Sequence, residues 1–331
     1  MGKQKLISIV TPMYNESEMI EKYFEGINKV VDLIKDGDNE YECEIVIVND
    51  GSKDDTLEKL QTRLSVQKNL RIVNLSRNFG QEPAVFAGVE NAKGDAVIVL
   101  DADLQDSPEL ISIMVEKWKM GYDIVNAKRV DRKVDAMFTR LTARIYYRTI
   151  NKLSYKVKYP ENVNNFRLVS RRAIEVIKTF PSNEKIFRNS AAQVGFKSAE
   201  IEFVRQPRQA GESKVNRKTM TKLALDGICD ATVKPLTFAF MPSMWMGFIG
   251  GLASLTMLIF GILSMSTNIG WVGTFVGGPL FIFVSVLSLL MVFTGIILLC
   301  LSINGFYLGK TYTEVKGRPM YIVEGIYSGE E

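Results

Sequence analysis

The feature that most constrains this chain is a long stretch without charge towards its C-terminal end. No Asp, Glu, Lys or Arg occurs between Lys234 and Lys310. Two apolar runs lie inside that stretch, Met244–Met265 and Phe275–Ile303, and they are joined through the sequence STNIGWVGTF. Each run exceeds the roughly 20 residues that an α-helix needs to cross a bilayer. The sequence therefore predicts two C-terminal transmembrane helices within residues 241–305.

Basic residues flank both apolar runs, and the loop between the runs is uncharged. Because positive residues are enriched on the cytoplasmic side of membrane spans, we expect both flanks in the cytoplasm and the short loop outside. Residues 1–213 then form a cytosolic domain and residues 306–331 a cytosolic tail, in a multi-pass protein of the inner or plasma membrane. The flanking residues are Lys214, Arg217, Lys218, Lys222 and Lys234 before the runs and Lys310, Lys316 and Arg318 after them.

Two further segments have a basic face opposite an apolar face. Within residues 136–155, basic side chains recur every four residues, and residues 214–240 follow a similar plan. Helices of this type lie on anionic membrane surfaces, although a solvated helix packed on the domain has the same pattern. We expect an interface helix at 136–155 and a juxtamembrane amphipathic helix at 214–240.

The composition excludes several reaction classes. The 331 residues include no histidine, which excludes Ser-His, Cys-His and His-metal mechanisms. Three scattered cysteines have no disulfide-like or metal-like spacing, and a net charge of +4 gives no sign of a nucleic-acid partner. Catalysis must then depend on carboxylates, a metal ion and basic residues.

The first 130 residues alternate between strand and helix patterns. Five apolar strands are expected at KLISIVTP, ECEIVIVND, LRIVNLS, DAVIVLD and YDIVNAKR, with helical patterns between them. Strands that are apolar throughout and joined by helices indicate a mostly parallel sheet covered on both faces. In such α/β sheets, ligands bind beyond the carboxyl ends of the strands.

Polar turns follow the first four of these strands. They read PMYNE at 12–16, NDGS at 49–52, SRNFG at 76–80 and DAD at 101–103. Asp101 and Asp103 are alternate residues after a buried strand, and two such carboxylates repel each other unless a cation neutralises them. Oxygen ligands of this kind suit Mg²⁺ or Mn²⁺, which complete their shells with water and substrate phosphates. The pattern predicts a metal site at Asp101 and Asp103 that holds a diphosphate.

These turns, together with NFRL at 165–168 and RQAGESK at 208–214, resemble the motifs of the inverting family-2 glycosyltransferases. More narrowly, the chain is similar to the polyprenyl-phosphate glycosyltransferases, such as bactoprenol glucosyltransferases and dolichyl-phosphate mannose synthases. The resemblance implies an α/β GT-A fold and transfer of a hexose from a nucleotide sugar, with a UDP-sugar as the expected donor. It also implies undecaprenyl or another polyprenyl phosphate as the acceptor, on the cytoplasmic leaflet.

The resemblance further implies roles for single residues. The nucleotide pocket would be lined by Pro12, Tyr14 and Glu16, and Asp50 would contact the base or ribose. Gln105 would lie beside the donor sugar. The residues expected near donor or acceptor phosphates are Arg208, Ser213 and Lys214, with Arg129 and Arg132 as further candidates on charge and position only. The residues expected to act in catalysis are Asp103, Gln105, Arg208 and Lys214.

One position departs from the family pattern. Relatives usually carry an acid before Phe-Arg-Leu, where it is a candidate general base, and this chain has Asn165 there. A phosphate monoester has a second pKa of about 6, so it is already anionic at neutral pH and needs little help from a base. The missing acid therefore fits a lipid-phosphate acceptor, with Asp103 or Glu161 as remaining base candidates.

Two alternatives stay open on the sequence alone. A transferase that acts on a diacylglycerol-type hydroxyl would need a base, and a catalytically inactive scaffold would be consistent with Asn165. A flippase is a candidate partner of the glycosyltransferase, and also of the inactive scaffold. A homo-oligomer is expected from the resemblance, with small residues in the first apolar run available for helix contact.

Overall fold

The computed structural model describes residues 4–37, 41–130, 157–160, 162–180, 186–204 and 279–329, together with a few single positions between them. The chain divides into two compact units. One comprises residues 1–227 and 317–331, and the other comprises residues 228–316. Three predicted segments lie mostly outside the described residues. They are the interface helix at 136–155, the juxtamembrane helix at 214–240 and the first apolar run.

The first unit contains eight described strands and six described helices. The strands are β1 (Lys5–Met13), β2 (Tyr41–Asn49), β3 (Leu70–Leu75), β4 (Ala96–Val99), β5 (Ile124–Arg129), β6 (Val163–Ser170), β7 (Ser198–Phe203) and β8 (Val323–Ser328). The helices are α1 (Ile20–Gly37), α2 (Thr56–Arg63), α3 (Gln81–Asn91), α4 (Leu110–Lys119), α5 (Arg171–Lys178) and α6 (Phe187–Gln193).

All eight strands form one sheet in the order β7-β5-β6-β4-β1-β2-β3-β8. The central strands β1 to β4 pair in parallel, as the alternating sequence pattern predicts. Strand β6 is antiparallel and lies between β4 and β5, so its first residues meet the carboxyl end of β4. The predicted five strands and mostly parallel sheet are confirmed. Strand β6 is inserted between β4 and β5, and β7 and β8 form the two edges of the sheet.

The two faces of the sheet differ in side-chain size. On β1 and β2 the buried isoleucines, such as Ile9 and Ile47, pack with α1, α2 and α4. The intervening valines, such as Val10 and Val48, pack with α3, α5 and α6. Helix α3 approaches the valine face closely, because a Cβ on Gly88 would lie 2.3 Å from Cγ1 of Val10. This close packing holds α3 directly against β1 and β2.

The described part of the second unit is mainly one long helix, α7 (Pro279–Val315). Among the described residues it is the one helix long and apolar enough to cross a membrane, through Val292–Val315 with a mean hydropathy of 1.9. One of the two expected spans therefore has a matching helix among the described residues, and the second span is not confirmed. The tail expected from residue 306 needs correction, since α7 continues to Val315 and residues 323–328 form β8 in the sheet. A short apolar strand after a long helix gives no periodic signal, which is why β8 was not predicted.

Candidate active site

Four loops meet at the carboxyl edge of the central strands. The first rim loop (14–17) follows β1, the second rim loop (50–56) follows β2, the third rim loop (76–80) follows β3, and the acidic turn (101–106) follows β4. Since β1, β2, β3 and β4 are parallel neighbours, their carboxyl ends lie side by side. The sequence prediction of a polar rim at this edge agrees with this arrangement.

Side-chain hydrogen bonds join the first rim loop to the second. The Asn15 N–H donates to Oγ of Ser52 at 3.0 Å, and the Glu16 N–H donates to Oγ1 of Thr56 at 3.1 Å. In the other direction, the Lys53 N–H donates to Oδ1 of Asn15 at 2.8 Å. Asn15 adopts a positive φ of 52°, a conformation that asparagine tolerates better than most residues. The backbone on both sides of it, which carries Tyr14 and Glu16, is thereby fixed against the loop that carries Asp50.

Asp50 joins the second rim loop to the third. Its buried carboxylate accepts hydrogen bonds from the Phe79 N–H at 2.7 Å, the Gly80 N–H at 2.9 Å and the Asn78 side-chain amide at 3.0 Å. Burial raises the pKa of Asp50, while the two backbone donors and the positive charge of Arg77 act in the opposite direction. The residue expected to contact a base or ribose is thus also a structural bridge within the rim.

Gly51 allows these two loops to touch. Its φ is +60°, and a Cβ at this position would lie 2.3 Å from the backbone carbonyl carbon of Arg77. Backbone atoms cannot move aside as a flexible side chain can. Glycine is therefore required here both for the left-handed conformation and for the close approach of the third rim loop.

The acidic turn is connected to the beginning of α3. The Gln81 side-chain amide donates to Oδ1 of Asp101 at 3.0 Å, and the Gln105 N–H donates to Oδ1 of Asp103 at 3.2 Å. Leu104, which lies between Asp103 and Gln105, adopts a positive φ of 49°. Asp101 and Asp103 are both partly exposed, whereas Ala102 is buried. The two predicted metal ligands are therefore held within the rim and remain accessible to solvent.

A divalent ion fits this turn by donor chemistry. The described residues contain no group of three or more potential metal ligands. Mg²⁺ and similar hard ions, however, are commonly bound through one or two carboxylates, with waters and substrate phosphates supplying the other ligands. Two accessible carboxylates in the acidic turn satisfy that requirement.

Asn165 lies opposite a carboxylate that sequence reasoning missed. Its side-chain amide donates to Oε1 of Glu82 at 3.1 Å, and Oε2 of Glu82 accepts from the Phe187 N–H at 2.8 Å. The contact arises because β6 is antiparallel to β4, which brings its first residues to the rim. Glu82 follows the SRNFG turn by two residues, but its sequence position alone resembles an ordinary acid in the first turn of a helix.

The predicted basic residues divide into two groups. Arg129, at the end of β5, is buried, and its guanidinium Nη2 lies 3.7 Å from Oδ1 of the buried Asp106. This pair connects β5 to the acidic turn. The other residues expected near the phosphates lie outside the described residues, so their roles stay predictions. They are Arg132, Arg208, Ser213 and Lys214.

A cavity of about 490 Å³ lies elsewhere in the same unit. Its walls include Asn126, Lys158, Tyr159 and Arg167, from β5, β6 and the segment before β6. The predicted site residues do not line it. The rim loops, and not this cavity, therefore form the candidate active site.

The comparisons with known proteins identify the family of the chain. The family model described as glycosyl transferase family 2 matches residues 8–178. The chain is 36% identical over 330 residues to the glycosyltransferase YkcC of Bacillus subtilis (strain 168), covering 100% of this chain and 97% of that protein. It is 38% identical over 324 residues to the bactoprenol glucosyl transferase of Shigella phage SfII, covering 98% and 99%. A glucosyl-3-phosphoglycerate synthase structure from Mycobacterium tuberculosis, with Mn²⁺ and UDP, covers 68% of this chain and 78% of its own at 17% identity, with a TM-score of 0.43.

The α/β sheet with its polar rim and the family match define a glycosyltransferase. The chain belongs to glycosyl transferase family 2. Relatives that match it over nearly their whole length include a bactoprenol glucosyl transferase at 38% identity.

Proposed function

We propose that this protein transfers a hexose from a nucleoside diphosphate sugar, with UDP as the expected nucleotide, to a polyprenyl phosphate at the cytoplasmic face of a membrane. The observation that carries the proposal is the rim. At one edge of the sheet, hydrogen bonds join the three rim loops to one another and the acidic turn to the start of α3. The acceptor is inferred from the relatives named bactoprenol glucosyl transferase, which match over nearly the whole chain.

In this proposal the rim residues bind and orient the donor. The first and second rim loops hold the nucleoside, with Asp50 fixing the third rim loop beside it. Gln105 is buried, and its Oε1 has no hydrogen-bond partner in the described part of the chain. A buried oxygen of this kind requires a donor, and a hydroxyl of the donor sugar would supply one.

Asp101 and Asp103 would hold the divalent ion. When bound, such an ion supplies positive charge that stabilises the departing nucleoside diphosphate. The chain's own contribution is to fix the two carboxylates, through Gln81 at Asp101 and the Gln105 N–H at Asp103. Fixed charges aimed at a developing negative charge lower the barrier, since little reorganisation is required during the reaction.

A lipid phosphate fits the site better than a hydroxyl acceptor does. An anionic phosphate oxygen attacks the anomeric carbon without prior loss of a proton, so the amide at Asn165 is compatible with turnover. A hydroxyl acceptor remains the second candidate because Glu82 places a carboxylate within hydrogen-bonding distance of Asn165. In that case Glu82 would be the base.

We also propose that the chain crosses the membrane an even number of times. Strands β7 and β8 belong to one sheet, and α7 lies between them in sequence. A chain that leaves a cytosolic sheet and returns to it must cross an even number of times. If the chain crosses twice and α7 is one crossing, we expect the second crossing within residues 205–278, where the first apolar run is predicted.

The proposal is tested by release of nucleoside diphosphate from the purified full-length protein. The protein is mixed with polyprenyl phosphate, Mg²⁺ or Mn²⁺ and a panel of nucleotide sugars, and the Asp103→Ala variant is assayed in parallel. We expect release with one donor that requires the lipid phosphate and is lost in the variant. No release with any donor from a folded protein would contradict the proposal and favour an inactive scaffold.

A further inference from the structure

A line of hydrogen bonds connects the last strand of the chain to the first rim loop. The Asn74 side-chain amide donates to Oε2 of Glu324 at 2.8 Å, and the Asn49 side-chain amide donates to Oδ1 of Asn74 at 2.7 Å. Oδ1 of Asn49 accepts from the Ser52 N–H at 3.3 Å. Oγ of Ser52 in turn accepts from the Asn15 N–H at 3.0 Å. We call Glu324, Asn74, Asn49, Ser52 and Asn15 the polar relay.

The fold places the polar relay where a change in the side chain of Glu324 would reach the first and second rim loops. Met13, Asn49 and Asn74 are register partners across β1, β2 and β3, so the relay follows the carboxyl edge of the sheet. It ends at Asn15, between Tyr14 and Glu16. Both ends of this line belong to the same compact unit.

A break in strand register directs Glu324 to the relay. On β8, Gly325 pairs with Asn74 and Val323 pairs with Leu75, which leaves Glu324 as an extra residue at the irregularity. Bulges of this kind change the direction of a side chain and often occur beside functional sites. The regular alternation of β8 is interrupted at the residue whose carboxylate contacts Asn74.

The relay has a direction, and the carboxylate sets it. An ionised carboxylate only accepts hydrogen bonds, whereas an asparagine side chain has one accepting oxygen and one donating nitrogen. Glu324 therefore turns the nitrogen of Asn74 towards itself and leaves Oδ1 of Asn74 for Asn49. Asn49 then presents its own oxygen to the Ser52 N–H. Because Asn49 and Asn74 are buried, the opposite orientation would leave donors facing each other, which is costly.

We propose that Glu324 is a positioning residue for nucleotide binding, which acts through the polar relay on the loops around Asn15 and Ser52. The inference rests on the proposed function, since it takes these loops as the nucleotide pocket. It gives the strand that follows the apolar helix a role in the active site. That role is absent from the sequence pattern, because the residue lies 250 positions from its partner Asn74.

The sharpest test replaces the acceptor by a donor. In Glu324→Lys an ammonium group attracts the side-chain oxygen of Asn74, so the side-chain amide of Asn74 flips. The amide of Asn49 then flips as well, and its nitrogen faces the Ser52 N–H. Glu324→Gln keeps an accepting oxygen and the relay. Ile326→Lys adds a lysine at an exposed position of the same strand and leaves the relay intact, so it is the matched control.

The measurement is calorimetric binding of UDP, with MnCl₂ present, to the full-length protein in detergent, together with the melting temperature without nucleotide. We expect Glu324→Lys to bind UDP about tenfold more weakly than wild type, the effect of about one lost hydrogen bond with an opposed donor. Glu324→Gln and Ile326→Lys should bind within about twofold of wild type. Glu324→Lys should melt about 2–5 °C below Ile326→Lys, which is the expected effect of one buried pair of opposed donors.

Each outcome bears on a separate claim. If wild type binds UDP and Glu324→Lys binds it equally well, the relay inference is wrong. If the weaker binding of Glu324→Lys comes with a large fall in melting temperature that Ile326→Lys does not share, a third variant, Glu324→Ala, decides the question. The inference stands if Glu324→Ala melts normally and binds UDP more weakly, and it is overturned otherwise. If the folded wild-type protein binds no UDP, the proposed function itself fails.

Discussion

The side-chain amide of Asn165 donates a hydrogen bond to the carboxylate of Glu82 over 3.1 Å. Family relatives were expected to have an acid at the position of Asn165, and such an acid would meet Glu82 as a second carboxylate. In this chain an amide takes that place, and the two groups attract each other. The rim therefore contains one carboxylate at this point, supplied by α3.

The substitution Asn165→Asp should change the pH dependence of stability. Two carboxylates within hydrogen-bonding distance raise the pKa of one of them. A raised carboxyl pKa in the folded state stabilises the protein at low pH, and that contribution is lost as pH rises through the raised value. The variant should lose about 1–2 kcal/mol of stability relative to wild type between about pH 5 and 8, as measured by urea unfolding. A pH profile parallel to wild type would show that the two groups do not interact.

The substitution Asn165→Ala should cost little turnover if the acceptor is a phosphate. Glu82→Ala, in contrast, removes the acceptor of both the Asn165 amide and the Phe187 N–H. It should lower the free energy of unfolding by about 1–3 kcal/mol, the usual cost of leaving a buried donor unsatisfied. Turnover and urea unfolding of both variants test this. A large loss of turnover in Asn165→Ala with stability unchanged would contradict the phosphate argument.

The substitution Asp103→Ala should abolish turnover and leave the fold intact. Asp103 is partly exposed, and its side chain accepts a hydrogen bond from the Gln105 N–H, so its truncation creates no large cavity. We expect a turnover rate lower by about a thousandfold or more, since the carboxylate charge proposed to hold the metal is halved. Circular dichroism and turnover are the measurements. Turnover within about tenfold of wild type would remove Asp103 from the metal site.

Nucleotide binding should weaken when Asp50 takes up a proton. Burial raises the pKa of this carboxyl group, so protonation begins at a higher pH than for an exposed aspartate. A protonated oxygen facing the Phe79 and Gly80 N–H groups loses an accepting site, and the third rim loop loosens. UDP affinity should fall as the pH decreases through this raised pKa, and Asp50→Asn should bind weakly with a flatter profile. Titration calorimetry between pH 5 and 8 tests this, and identical profiles for the two proteins would contradict it.

The substitution Gly51→Ala should destabilise the protein through the backbone of the rim, as measured by urea unfolding. The added Cβ would lie 2.3 Å from the Arg77 carbonyl carbon, at a residue with φ of +60°. We expect a loss of about 2–4 kcal/mol in the free energy of unfolding, from the left-handed strain together with the clash. Gly80→Ala is a useful comparison, because its φ is also positive but a Cβ there meets no atom within 4 Å. Equal losses in both variants would show that the contact between the loops is unimportant.

Much of this molecule is predictable from local pattern. Five strands, the helices between them and the polar turns after β1 to β4 follow from periodicity and from the parallel-sheet rule. The prediction that Asp50, Asp101 and Asp103 lie at one edge depends only on the parallel order of consecutive strands, and it agrees with the structure.

The unpredicted features depend on contacts between distant parts of the chain. Glu82 and Asn165 are 83 positions apart, and their contact requires that β6 enter the sheet beside β4 in the antiparallel direction. Strand β8 is six residues long and follows the long helix α7. A sequence pattern gives strand type and helix type, but not the register in which distant strands meet.

Transfer of sugar to a membrane-borne phosphate is tested most directly by recovery of labelled sugar in extracted lipid. Full-length protein in detergent receives a radiolabelled nucleotide sugar, MnCl₂ and one of three acceptors: undecaprenyl phosphate, undecaprenol or diacylglycerol. We predict label in the organic phase with undecaprenyl phosphate alone, and none with Asp103→Ala. Label with diacylglycerol or undecaprenol, and none with undecaprenyl phosphate, would contradict the account and make a hydroxyl the acceptor.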